Sequence, residues 1–529
     1  MKGPLRKTMT WLHTWSSILL GWLLFAIFLT GTLSYFRMEI NHWMTPEAHV
    51  SVPSEHAIGI AAKRLVEVAP EAESWNITLP SERNNTLDLS WRNPGDTQRR
   101  RGPMEVLNPS TGEQIEVRET RGGDFLYRFH FELYHLPRGF SRTLVEIATM
   151  AMFIALISGI IMHRKIFSDF FMFRTKNRSL GWSDAHAVTA VLALPFHLMI
   201  TFSGLILLAS TLVFWGDDIN RSANGGNQAR GPAQVAAEPV ERLPAPDLTR
   251  MLATAEHELG ARVSFLLANK PMTREAEYIF FSSERDSLLG SRFGQTLTLD
   301  NDGNVREASG MFATNNQEIN AVNAINGVLR TLHEARFADP LVRWLFFIAG
   351  VSGTLMVGTG SILWATKRAK RQTGQFGFEL VHVLNIASIS GLCIAVASYF
   401  WLNRLLPAEL AVRQSWEING FFMVWLLTLV HAAIYRHRHA WQAQLWLAGS
   451  LFVLLPALDQ FTSPVGLWSA LINGDWMRLS FDGMSLLIGA ILLLCAGYLR
   501  QKMQKVRAQQ AVKKRSSSTA SGTQEVIAK

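Results

Sequence analysis

The chain has 529 residues, 48% of them hydrophobic and 18% charged, with a formal net charge of +9. Apolar runs long enough to cross a bilayer exclude a wholly soluble protein, and the basic residues cluster in short segments between those runs, as in membrane loops rather than in a nucleic-acid interface. The two cysteines, Cys393 and Cys495, both lie inside apolar runs, which excludes a disulfide framework or a thiolate metal site.

After MKGPLRK, the run from Trp11 to Phe36 is too long for a signal-peptide core and lacks a small-residue cleavage pattern. Residues 1–36 therefore read as a retained first span with a cytoplasmic amino terminus, which puts His13 at its cytoplasmic end. Residues 37–140 read as a small α+β domain outside the membrane, with an amphipathic helix, AIGIAAKRLVEV, then strand-like runs and the turn NPSTGEQ. Its last run, FLYRFHFELYH, alternates Phe125, Tyr127, Phe129 and Phe131 with Leu126, Arg128, His130 and Glu132, which predicts a half-buried strand with His130 exposed. Arg99-Arg100-Arg101 reads as a solvated turn.

A second span at 141–163 leads into a basic loop at 164–184, placing His163 at the depth of His13 and His186. The third span, 185–215, contains His186 and His197. Residues 216–338 form a second outside domain: the linker NGGNQARGPAQVAAEP, the helix LTRMLATAEHEL, and the runs VSFLLAN, EYIFFSSE and QTLTLD, with an NDGN turn. The fourth span, 341–364, ends at the basic KRAKR, and further spans are expected at 379–402, 419–435, 443–458 and 482–499, the third of these being short and carrying Pro456. A basic tail at 500–529, Ser/Thr-rich at its end, is expected to be disordered and cytoplasmic. The fold class is thus a mainly α-helical polytopic membrane protein of about eight transmembrane helices with two small α+β domains.

On a straight helix the eleven residues from His186 to His197 rise about 16.5 Å and return to within about 20° of the starting direction, so both imidazoles share a face. Histidines at two depths of one membrane helix suit two stacked haems, each iron taking an axial nitrogen, and interhelical hydrogen bonding is the other use of such residues. An internal repeat sorts them. His13 precedes Gly31 by 18 residues and His186 precedes Gly204 by 18, while His135 and His333 each stand shortly before a span. A repeat of span, outside domain and span implies a pseudo-two-fold axis along the membrane normal. Equivalent histidines facing across that axis can clamp one flat macrocycle. His13 with His186 is one such pair, with His163 competing; His135 with His333 is the other, with His197 lying deeper. His382 and His431 read as interfacial or hydrogen-bonded, His437 and His439 as solvated, and Met152 and Met199 as core.

The motifs LHTW at 12–15 with GWLLFAIFLTGTL, HRKIFSDFFMFR at 163–174, SDAHAVTAVLALPFH at 183–197 and LHEARFADPLVRWLFFIAG at 332–350 resemble the PepSY-associated transmembrane proteins, which include bacterial inner-membrane ferric-siderophore reductases. The resemblance implies PepSY-like periplasmic modules and a protein with two b-type haems that passes electrons to a periplasmic ferric siderophore or other ferric chelate. His13, His135, His163, His186, His197 and His333 fall on or beside the family's histidine motifs and are the candidate iron ligands. The reductant is expected to be a membrane quinol or a separate protein, because no cytoplasmic segment is long enough to hold a flavin or nicotinamide domain. A cofactor-free peptide-binding or protease-regulating protein and a transporter are the alternatives, although the spans carry few charged residues at mid-depth.

Overall fold

The computed structural model describes residues 3–95, 102–163, 174, 178–209, 242–282, 295–309, 321–335, 338–435 and 438–527. The triplet Arg99-Arg100-Arg101, most of the basic loop after His163, His437 and most of the linker before the second outside segment lie outside the described residues. The chain divides into two compact units, Met1–Gly360 with Ser463–Val465, and Ser361–Thr462 with Gly466–Lys529. Among the described residues 7 helices are long and apolar enough to cross a membrane, or 8 if one bent pair is a single span.

In the first unit the first span is the helix Gly3–Leu33, the second Arg138–Met162 and the fourth Pro340–Gln372. The third is broken into Arg178–Leu192 and Leu194–Leu208, which meet at 70°. Pro195 stands in the first turn of the second piece, where its missing N–H is harmless; in a continuous helix its ring would strike the carbonyl of Val191. His186 and His197 therefore do not share the face of one straight helix, because the bend falls between them.

The strands from the two outside segments join in one antiparallel sheet, ordered β3-β2-β1-β4-β5-β6-β7. The first segment supplies β1 (Ser74–Thr78), β2 (Leu87–Arg92) and β3 (Met104–Leu107); the second supplies β4 (Val263–Asn269), β5 (Glu277–Ser282), β6 (Thr296–Leu299) and β7 (Val305–Ser309). The junction is β1 against β4, with Trp75 opposite Ala268 and Ile77 opposite Leu266. Trp75, Ile77, Leu87, Leu89, Leu266, Tyr278 and Phe280 alternate onto one buried face. That face meets the helices Ala57–Val68 and Leu248–Leu259 through Ile58, Ala61, Leu65, Met251 and Ala255, so the two segments share one core. Each segment alone has three or four strands and one helix, too little to cover its own inner edge, and pairing β1 with β4 removes both open edges.

The run expected as a strand around His130 is the helix Gly122–Phe131. Phe125 and Phe129, four apart, stack at 5.9 Å and are buried with Leu126, so the period that governs is 3.6 and the alternating aromatics are incidental to it. A matching helix, Ala321–Glu334, precedes the fourth span.

In the second unit the helix Phe376–Ile386 passes through a π-helical turn at Ala387–Gly391 into Leu392–Leu405; Arg413–Ile434, the pair Arg438–Val453 and Leu455–Thr462 broken before Pro456, the short Leu467–Asn473 and Trp476–Ile527 follow. The expected disordered tail continues the last helix to Ile527; its Gln, Lys, Arg and Ala are strong helix formers, and an existing helix extends without a new nucleus. Asp459 accepts from Arg404 and Arg478, each at 2.6 Å, with all three side chains fully buried, and Arg413 pairs with Glu417 beside them. These bonds tie helix ends together, and deleting one partner of such a buried pair costs about 3–5 kcal/mol.

The shared core makes a direct prediction. Leu266→Ala, at a fully buried site opposite Ile77, should cost about 2–5 kcal/mol. Hydrogen exchange should show amides of β1 and β4 losing protection together; loss confined to the second segment would contradict a common sheet.

Candidate functional site

Four imidazoles of the first unit come together on the spans and the helices that precede them as two pairs, and His42 and His49 of the first outside segment form a third, with ring centroids 4.7 Å apart. His13 of the first span and His186 of the third have ring centroids 6.2 Å apart. His130 and His333, each on the helix that precedes a span, have centroids 6.0 Å apart.

The rings are fixed by one recurring local device. His13 Nδ1 lies 2.8 Å from the Ala155 carbonyl, His186 Nδ1 2.9 Å from that of Met356, and His130 Nδ1 2.7 Å from that of Ile27. Four residues after these carbonyls stand Gly159, Gly360 and Gly31. In a helix the side chain of residue i+4 covers the flank of carbonyl i, so a glycine there leaves the carbonyl open to a second donor from a neighbouring helix. A Cβ at Gly31 would lie 2.5 Å from His130, at Gly360 3.1 Å from His186 and at Gly159 3.3 Å from His13. His333 sits in the same way on Gly204, where a Cβ would approach to 3.2 Å. Its Nδ1 lies 2.8 Å from Ser203 Oγ, whose own proton is donated to the Met199 carbonyl at 2.8 Å, which leaves the oxygen to accept.

These bonds decide the tautomer. A carbonyl only accepts, as does a hydroxyl whose proton is given elsewhere, so each Nδ1 carries the proton and each lone pair is on Nε2, as in a histidine whose ring is oriented through its other nitrogen for binding a metal. Burial holds the His130 imidazole below its ordinary range and pushes His333 down to about 3, with the nearby His130 adding to the effect. Both rings are therefore neutral at physiological pH, as ligation requires.

A cavity of 910 Å³ opens beside the second pair. Leu24, Ile27, Phe28, Val145 and Met152 form its apolar wall, His130 and His333 line it, and several arginines approach from the side of the linking helices. Its volume falls in the range of small-molecule and cofactor sites, about 300–1,000 Å³.

The other expected site residues are placed differently. His135 is exposed, has φ 63° and packs against Tyr134, so the partner of His333 is His130. The signal for His130 was present in the i, i+4 pair Phe125 and Phe129 that marks its helix. His163 caps the second span, its N–H donating to the Gly159 carbonyl, and is not paired with another imidazole among the described residues. His197 is fully buried, with Nε2 3.4 Å from the Ala349 carbonyl and 3.2 Å from a Cβ built at Gly353, again four residues on. The rings it meets edge-on are those of Phe196, at 5.9 Å, and Phe28, at 6.4 Å, and neither is a histidine. Met152 belongs to an apolar cluster with Leu24 and Met356, and Met199 Sδ lies 3.9 Å from Ser203 Oγ. Among the described residues no group of three or more His, Cys, Asp or Glu side chains is arranged to hold a bare metal ion.

The family model of the PepSY-associated TM region matches residues 10–367. The chain belongs to that family. It is a multi-pass membrane protein, and the match takes in both histidine pairs and the sheet while leaving out the helices after the fourth span. No curated protein matches the sequence.

Gly31 has the closest approach, so Gly31→Ala should push His130 off the Ile27 carbonyl and leave His13 and His186 seated. In ¹⁵N spectra of histidine-labelled protein one Nδ1–H signal should move alone. An unchanged spectrum would contradict the glycine seat.

Proposed function

We propose that this member of the PepSY-associated family is a haem-containing reductase of the bacterial inner membrane, moving electrons across the bilayer to a periplasmic ferric chelate such as a ferric siderophore. The observation that carries the reading is the pairing of imidazoles, each with its lone pair on Nε2, at 6.2 and 6.0 Å. Two imidazole nitrogens about 2 Å from one iron, with each ring centre about 1 Å further out, set centroids about 6 Å apart. His13 and His186 would hold one haem b, His130 and His333 the other. When bound, two such six-coordinate haems supply one-electron chemistry on either side of the membrane.

What the chain contributes is positioning and exclusion of water. The carbonyl bonds hold the imidazoles at the right tautomer, the glycine seats let them approach flush against the helices, and Leu24, Phe28 and Met152 line the cavity beside the second pair with apolar atoms. Along the first span His13 and Gly31 are separated by 18 residues, about 27 Å of helical rise, so the two pairs address opposite sides of the bilayer. Basic segments such as KRAKR, at the ends away from the sheet, favour a cytoplasmic assignment of that side and a periplasmic one for the sheet. Reduction of Fe(III) to Fe(II) lowers the charge and hardness of the ion and so weakens an oxygen-donor chelate, which releases iron. The reductant would be a membrane quinol or a separate protein.

Purified protein made with ample haem should show a reversible b-type absorption change on dithionite addition and about two haems per chain by pyridine haemochrome. His13→Ala or His186→Ala should remove one haem and His130→Ala or His333→Ala the other, whereas His135→Ala and His382→Ala should leave both. Colourless protein would sink the reading.

A further inference from the structure

The arginines of the cavity are not explained by ligation of iron. Arg37, Arg83, Arg138, Arg142, Arg330 and Arg343 all line it. Arg37 pairs with Asp124 at 3.3 Å and Arg330 with Glu334 at 3.8 Å, but the other four share their carboxylates: Glu132 stands 3.0 Å from Arg142, 3.3 Å from Arg138 and 3.8 Å from Arg128. Glu39 is gripped by Arg83 through two bonds of 2.9 and 2.7 Å and is 3.9 Å from Arg343. A guanidinium offers five N–H donors in a planar fork, so one that shares its carboxylate keeps donors for another anion.

Two of these arginines are related by the repeat. Arg142 precedes Gly159 by 17 residues and Arg343 precedes Gly360 by 17, each near the start of its span. Three of the others have no cationic counterpart: Arg138 corresponds to Asp339 on that alignment, Arg37 to Ser210 when His13 is set on His186, and Arg330 to Tyr127 when His333 is set on His130. The rotation that exchanges His130 with His333 thus also exchanges Arg142 with Arg343. A haem b has an approximate two-fold axis of its own, lying in the ring plane, through the iron and between the two propionates. Turning about it exchanges the axial faces and the propionates together.

Resting on the haem reading above, we propose that Arg142 and Arg343 bind the two propionates of the haem held by His130 and His333, one guanidinium to each carboxylate. Their side chains are only 26% and 15% exposed, so the ion pairs form in a largely desolvated place where charge-assisted hydrogen bonds are strong. The apolar wall of Leu24, Ile27 and Val145 then meets the porphyrin body, and the charged rim meets the acid edge.

The test is a cycle between ligand and protein, in the full-length His13→Ala/His186→Ala variant made without haem, so that the second pair alone is titrated. Haem and haem dimethyl ester are added and the Soret absorbance followed. Esterification should weaken binding by about tenfold to a hundredfold per carboxylate. Arg142→Gln/Arg343→Gln should weaken haem binding and abolish most of that difference, and Arg142→Lys/Arg343→Lys should retain part of it. An ester penalty equal in the Arg and Gln proteins overturns the assignment. So does an ester that binds as well as haem, which would assign the arginines to a free anionic chelate instead. If the wild type carries haem but this background takes up none, the second pair is not a haem site and the propionate assignment falls with it. A colourless wild type overturns the haem reading itself.

Discussion

A backbone carbonyl laid bare by a glycine four residues later, and occupied by an imidazole from another segment, is the contact on which the first unit depends. It occurs on the first, second and fourth spans, and on the third a ring sits on Gly204 in the same way, bonded to Ser203 Oγ. His13 seats on the second span, His186 on the fourth, His130 on the first and His333 on the third. Each seat brings a ring flush against a helix backbone, where a methyl group would already be too close or tight. In an apolar bundle, with little hydrophobic force to draw helices together, such close approaches and the bonds they allow decide which faces meet. The same bond that fixes the helix also fixes the ring, so packing and ring orientation are one constraint.

The duplication explains why the seats come in matched sets. Two copies of span, outside segment and span, related by a rotation, place equivalent histidines opposite each other about the axis. The sheet obeys the same rotation: β1 and β4 are the first strands of the two segments, and they meet antiparallel at the centre of the seven strands, as equivalent strands must about a two-fold normal to the sheet. Neither segment has a complete core, and neither span pair has a complete histidine pair. Both depend on the other copy for closure.

Much of this was legible in the chain because it is local. The 18-residue spacing from His13 to Gly31 and from His186 to Gly204 identified equivalent positions, and the helices Ala57–Val68 and Leu248–Leu259 followed from their apolar periodicity. What failed was a choice between periods and a choice of partner. FLYRFHF satisfies a period of two in its aromatics and a period of 3.6 in Phe125, Leu126 and Phe129, and burial against the first span selects the second. That hid His130 and left His135 as the apparent counterpart of His333. Aligning on the glycines favours the correct residue, since His333 precedes Gly360 by 27, His130 precedes Gly159 by 29 and His135 precedes it by only 24. The joining of β1 to β4 has no local signature, because it pairs strands almost two hundred residues apart.

His197 shows where the two-fold is broken and why that does not create a third pair. Its counterpart in the first copy is Leu24, and the counterpart of Gly353, on which it sits, is Met152. One copy thus fills the contact between its two spans with a leucine against a methionine, both buried in the apolar cluster; the other fills it with an imidazole against a glycine. Volume is exchanged between facing helices, as close packing demands. A ligand pair needs an imidazole on each side of the axis, and the first copy presents Leu24 there, with the edge of Phe28 turned toward His197. The seat alone therefore does not make a pair. Among these seated rings a facing imidazole is present only where the repeat supplies a mirror, for His13 with His186 and for His130 with His333.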